Sequence, residues 1–264
     1  MSASTQPPGR FRALGRYVIP ILTLLAALVL WESAVRLFEI PKYLIPAPTQ
    51  VALTIAHSWP SLFKDAGVTL GEAALGFALG TSFAFVVGAA FVHSQLIEDG
   101  LAPYMVALQA VPIVAMAPLL IIWFGNGLLS KIVMAAIICF FPMVVTSAAG
   151  LRLASSDALD LMRVLSASKW QVFLKLRLPA SLPFVFSGLR ISATLSVIGA
   201  VVAELAGATR GIGYQIMISS YQTDTPTLFA AVLFSAITGI GFYYAVTFVE
   251  TIIMSRLTAK VRKQ

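Results

Sequence analysis

Charge is scarce in this chain. Only 11% of its 264 residues are Asp, Glu, Lys or Arg, while 59% are hydrophobic. A soluble domain carries about 25% charged residues, so this chain cannot cover itself with a polar surface, and it belongs in lipid. Cysteine and histidine are scarcer still, at one and two. The lone Cys139 closes no disulfide within the chain and builds no thiolate metal site, and two histidines far apart in sequence do not suggest a metal centre. No Gly-x-x-x-x-Gly-Lys-Ser/Thr run occurs, so the chain offers no phosphate cradle of that kind. Nothing resembles a Ser-His-Asp set or a carboxylate pair within one apolar run. An enzyme reading therefore has no catalytic residue to rest on, and no cofactor is indicated. The net charge of +7 does not call for nucleic acid either, because in a membrane protein basic excess marks the cytoplasmic loops.

What is abundant is long apolar runs. The first covers Tyr17–Leu30 and continues helically through Trp31–Phe38. No small-x-small cleavage site follows, so an uncleaved span is favoured over a signal peptide. Further spans are predicted at Val68–Val92, Leu101–Phe124, Ile132–Leu151, Phe184–Ala206 and Leu228–Met254. Residues 1–16 read as a disordered cytoplasmic N-terminus and 39–60, rich in proline, as an external linker in which Pro46-Ala47-Pro48-Thr49 offers a start for a short surface helix. Gly76, Gly80, Ala84 and Gly88 form a stripe of small residues suited to close helix packing. Pro103, Pro112 and Pro118 predict kinks in the third span, and Pro142 a break in the fourth. Gly207–Thr227 reads as an external loop with a short amphipathic segment.

Six spans put both termini on one side. Most of the 18 Lys and Arg lie there: Arg10, Arg12 and Arg16, five in residues 152–183, Arg190, and the tail with Arg256, Lys260, Arg262 and Lys263. The positive-inside rule makes that side cytoplasmic. Residues 93–100 dissent, carrying Glu98 and Asp99 and no basic residue.

The polar stretch 152–183 is the exception in an apolar chain. Leu159, Met162, Val164 and Leu165, then Trp170, Phe173, Leu174 and Leu176, recur at amphipathic-helix spacing. Pro179 and Pro183 are expected to close the segment before the next span. Asp160-Leu161-Met162, three residues, Ser166, nine residues and Leu176-Arg177-Leu178-Pro179 resemble the loop that permease subunits of bacterial ABC importers carry between two spans. The family pattern is Glu-Ala-Ala, three residues, Gly, nine residues, Ile-x-Leu-Pro; this chain departs from it at Asp160-Leu161-Met162 and at Ser166. Ala117-Pro118-Leu119, Trp123-Phe124-Gly125-x-Gly127, Ser130-Lys131, Phe140-Phe141-Pro142, Ala203-Glu204-Leu205 and Gly211-Ile212-Gly213-Tyr214 resemble the subfamily that serves nitrate, taurine, sulfonates and vitamin precursors.

The resemblance implies an all-α membrane protein of six transmembrane helices with the type I ABC importer permease fold, in the bacterial inner membrane. It implies a single permease domain over residues 17–254 with a basic tail over 255–264. It further implies ABC ATPase subunits, a periplasmic or lipid-anchored solute-binding protein and a second permease copy as partners. By the same resemblance Asp160, Ser166, Ala167, Trp170, Phe173, Leu174, Leu178 and Pro179 couple to the ATPase, with Trp170, Phe173 and Leu174 forming one apolar knob at Ser166–Leu174. The alternative for that segment is an interfacial helix whose Lys169, Lys175 and Arg177 rest on anionic membrane lipid. Polarity and position nominate Tyr104, Gln109, Met116, Ser192, Thr194, Ser196 and Glu204 for the translocation path, with packing as the competing role. An ion-driven secondary transporter and a membrane-embedded enzyme are the rival classes. The first should show inverted repeats, and none is evident.

Overall fold

The computed structural model describes residues 10–261. Among them the regular structure is helical throughout: α1 (Arg10–Leu37), α2 (Pro48–His93), α3 (Gln95–Ala110), α4 (Ile113–Phe124), α5 (Leu128–Leu151), α6 (Ser156–Val164), α7 (Lys169–Val172), a π-turn at Phe173–Arg177, α8 (Leu178–Leu205), α9 (Ile212–Tyr221) and α10 (Thr225–Val261). Five of these helices, α7 to α8 counting as one, are long and apolar enough to cross a membrane. The bent pair α3–α4 makes a sixth if it is one span. Of the expected disordered leader, residues 1–9 lie outside the described part and residues 10–16 are helical.

At the centre α2, α5 and α8 pack against one another, and small residues set the distance. A Cβ on Gly80 would stand 2.5 Å from the carbonyl oxygen of Ala136, and one on Gly199 would stand 2.8 Å from the Cα of Ala135. Both glycines are therefore required by close backbone approach, in lipid where dispersion rather than hydrophobicity draws helices together.

The linker predicted over residues 39–60 is much shorter, because α2 begins at Pro48. A proline is pre-set for the first helical position. The first-turn donors are then met from two directions. Gln50 Oε1 accepts from Ala47 N at 3.2 Å, and Glu32 of α1 accepts from Thr49 N at 3.0 Å and Thr49 Oγ1 at 2.9 Å. At 46 residues and about 1.5 Å rise per residue, α2 far exceeds the roughly 30 Å hydrocarbon thickness. Its first third packs on α9 and α10 through Val51, Leu62, Ile212 and Phe234.

The prolines act unequally. Pro112 forces Val111 into an extended conformation (φ −71°, ψ 126°), and α3 and α4 meet there at 100°. Pro103 and Pro118 sit inside their helices. The break expected at Pro142 does not occur. There α5 runs on unbroken with Met143 and Val144 buried, and Thr146 Oγ1 donates to the Pro142 carbonyl at 2.8 Å. Packing from α2 and α8 holds the helix together where one hydrogen bond is lost.

Candidate functional site

The hairpin between α5 and α8 is built in three turns. Ser155 caps α6, its Oγ accepting from Ala158 N at 3.4 Å. The end of α6 is closed by Ser166 N donating to Arg163 O and Ala167 N donating to Met162 O, both at 2.9 Å, a pair of bonds that needs a left-handed residue between helix and exit. Ser166 supplies it with φ +51°. The family pattern has glycine there, and the geometry shows why: the position costs a residue with a Cβ about 1–2 kcal/mol.

The chain then re-enters helix at Ser168. Its Oγ accepts from Gln171 N at 3.3 Å while Gln171 Oε1 accepts from Ser168 N at 2.8 Å, a reciprocal cap. After α7 the π-turn carries the helix without a gap into α8, so Lys169–Leu205 is continuous. Pro179 and Pro183 do not close the segment as predicted. A proline ring collides with the carbonyl four residues back, and the wide π-turn, with Leu178 N donating to Phe173 O, lies immediately before Pro179 where that carbonyl must give way.

Trp170, Phe173 and Leu174 do not form one outward knob. Phe173 is 8% exposed and turns inward, its ring 6.0 Å from that of His93 at the end of α2. Trp170 stacks on it at 5.6 Å and stays 65% exposed. Phe173 is thus a post and Trp170 the face it supports. On α6 and at its end Leu161, Val164 and Leu165 are exposed too, apolar side chains on a polar hairpin that belong with the candidate docking face. Their helical spacing in the sequence was the available signal. Asp160 is bound to Arg163 at 2.5 Å, Ala167 is half-buried, and Leu178 and Pro179 open α8.

The path candidates separate. Gln109 and Met116 line a cavity of about 680 Å³ between the α3–α4 bend and α5, together with Met105, Phe140, Phe141 and Thr146, and no lining residue is charged. Tyr104 is 75% exposed on α3 and is not part of its lining. Thr194 is half-buried and faces Gly239 of α10. Ser192 and Ser196 are fully buried elsewhere: Ser192 Oγ donates to Cys139 O at 3.3 Å and Ser196 Oγ to Ala193 O at 2.8 Å.

Glu204 is fully buried as well, away from the cavity. Its Oε1 accepts from Thr69 Oγ1 at 2.7 Å and its Oε2 from Gly213 N at 2.5 Å. Thr69 Oγ1 accepts in turn from Ile212 N at 2.9 Å, and Asp65 Oδ1 from Gly211 N at 3.2 Å. An acid at the start of α9 answers donors that a helix leaves unpaired, so Glu204 clasps α2, α8 and α9. Glu72 of α2 is buried as well, close to Glu204 and Lys131.

The family described as the inner membrane component of binding-protein-dependent transport systems matches residues 76–263. A probable ABC transporter permease of Haemophilus influenzae is 35% identical over 88% of this chain and 94% of its own. The formylaminopyrimidine transport permease of Halalkalibacterium halodurans is 33% identical over 89% and 94%. The riboflavin transport system permease of Chloroflexus aurantiacus is 33% identical over 95% and 96%. Among solved structures, an amino acid ABC transporter crystallised with histidines superposes with a TM-score of 0.56 at 15% identity, covering 75% of this chain and 97% of the other.

Proposed function

The chain belongs to the inner membrane components of binding-protein-dependent transport systems, and from that premise we propose how it is driven and what it carries. It is a permease subunit of an ABC importer, a multi-pass protein of the bacterial inner membrane. Residues 17–254 act as one permease domain that pairs with a second copy. ATP is hydrolysed in a separate subunit docked on the cytoplasmic hairpin, and a solute-binding protein delivers cargo from outside. Trp170, Leu174, Leu165 and Val164 make the docking face, and Phe173, Ser166 and the Ser168 cap hold it in shape. An exposed aromatic on a rigid support is a typical interface anchor, worth about 2–4 kcal/mol when buried by a partner.

The cargo is a neutral, planar heterocycle. One observation carries this reading: the cavity beside the α3–α4 bend has Phe140, Phe141 and the Gln109 amide, and no cation. An inorganic anion or a sulfonate there would lose its water without gaining a charge partner, whereas an aromatic ring stacks on phenyl groups and takes a hydrogen bond from an amide. The relatives that carry formylaminopyrimidine and riboflavin support the same class, against those that carry sulfonate, taurine and nitrate. Uptake by proteoliposomes holding the complete importer tests it, with those five compounds competing in turn. Riboflavin or the pyrimidine should enter and compete, and uptake of taurine or nitrate alone overturns the reading.

A further inference from the structure

Beneath the hairpin lies a second cavity, of about 310 Å³, where His93, Arg163, Lys169 and Arg177 share the lining with Val92, Leu159, Ala167 and Val172. That volume is at the lower end of ligand pockets, about 300–1,000 Å³. Four of its eight lining residues are basic, and no acidic residue lines the space. Arg163 has one carboxylate neighbour, Asp160, and a guanidinium keeps further donors free after a single pair. Among the described residues no carboxylate lies within ion-pair distance of Lys169 or Arg177. The position is equally defined. His93 ends α2, and Arg177, half-buried, is the last residue of the π-turn before α8, so the cleft lies at the hairpin ends of two helices long and apolar enough to cross a membrane. Val92, Leu159, Ala167 and Val172 supply its apolar wall.

We propose that this cleft binds the phosphate-bearing headgroup of an anionic lipid, with Arg177 and Lys169 as the principal contacts and Arg163 as a third. Unpaired cations around a pocket at the membrane boundary are what such a headgroup selects, and the apolar wall suits its glycerol and first acyl carbons. A zwitterionic headgroup cancels much of the attraction, and a free phosphate ion lacks the apolar part. The bound lipid wedges the end of α2 against α7 and so steadies the post on which Trp170 stands. This goes beyond the coupling role, and its test needs no ATPase.

The full chain in an uncharged detergent is titrated with phosphatidylglycerol, phosphatidylcholine or inorganic phosphate while its thermal unfolding is followed. At about one hundred times the dissociation constant, phosphatidylglycerol should raise the melting temperature by about 5–10 °C, and the other two by far less. Lys169→Gln with Arg177→Gln should abolish the response. Lys175→Gln, which changes an exposed cation of the same hairpin outside the cavity lining, should keep it. Equal stabilisation by phosphatidylcholine overturns the proposal, as does a response that survives the double change or disappears with Lys175→Gln. Inorganic phosphate matching the lipid overturns the headgroup assignment and makes this a soluble-anion site. Should the double variant not fold, Arg177→Gln alone is compared with the unaltered chain for retained phosphatidylglycerol by native mass spectrometry; equal retention again overturns the proposal.

Discussion

Glu98 and Arg152, 54 positions apart, form an ion pair between the first turn of α3 and the residue that ends α5. The pair answers the one loop whose charge disagrees with the rest, since the acid of residues 93–100 is met by a base of the hairpin. Both loops therefore lie on one side of the membrane. Cysteines placed at Glu98 and Asp157 should both react with a membrane-impermeant maleimide in inverted vesicles, and a cysteine at Lys42 only in intact cells after outer-membrane permeabilisation. The native Cys139 is buried and gives little background. Labelling of Glu98 and Asp157 from opposite sides would refute the topology. As the pair is partly exposed, exchanging its charges should change stability by no more than about 1 kcal/mol.

Ser166 carries left-handed backbone at φ +51°. Ser166→Gly should stabilise the protein by about 1 kcal/mol by removing the Cβ conflict, and Ser166→Val should destabilise it by more. Thermal unfolding in detergent reads both, and equal melting for all three chains would show that the turn is not strained.

Trp170→Ala and Phe173→Ala should fail differently. Removing the exposed Trp170 should leave unfolding nearly unchanged while co-purification of the ATPase and solute uptake are lost. Removing the buried Phe173 should cost about 3 kcal/mol of stability and thereby reduce the yield of folded protein. If Trp170→Ala transports normally, the docking face lies elsewhere.

Glu204→Ala leaves Gly213 N without its acceptor in a buried site and Thr69 Oγ1 with only the Asp65 carbonyl, at 3.1 Å, at a cost of about 1–3 kcal/mol. Glu204→Gln keeps one acceptor and should lose less. The measurement is amide hydrogen exchange of Ile212–Tyr221, which should quicken in Glu204→Ala before the rest of the chain changes. Unaltered exchange there would remove Glu204 from its role as a clasp.

The sequence disclosed the spans because lipid imposes a crude rule on them, an apolar run of sufficient length. It disclosed Gly76, Gly80 and Gly88 as a contact stripe for the same reason. Pro112 and Pro142 look alike in sequence, yet only Pro112 breaks its helix, because Pro142 lies where α2 and α8 hold α5. The early start of α2 depends on Glu32, an acid in another helix. The inward turn of Phe173 depends on His93 at the far end of α2, and spacing within the hairpin could not reveal it. Polarity and position singled out Glu204, but for the translocation path; its partners Thr69 and Gly213 come together only in three dimensions.

Trp170 and Glu204 sit on a single helix of 37 residues, Lys169–Leu205, equivalent to a rod of roughly 50 Å between them. Such a rod behaves as a lever: rocking it by about 5° about one end carries the other through about 4 Å over that length. On the proposed coupling a small displacement at Trp170 would be felt at the far end, where Glu204 grips α9, and the π-turn with Pro179 and Pro183 close behind it is where compliance would blunt the stroke.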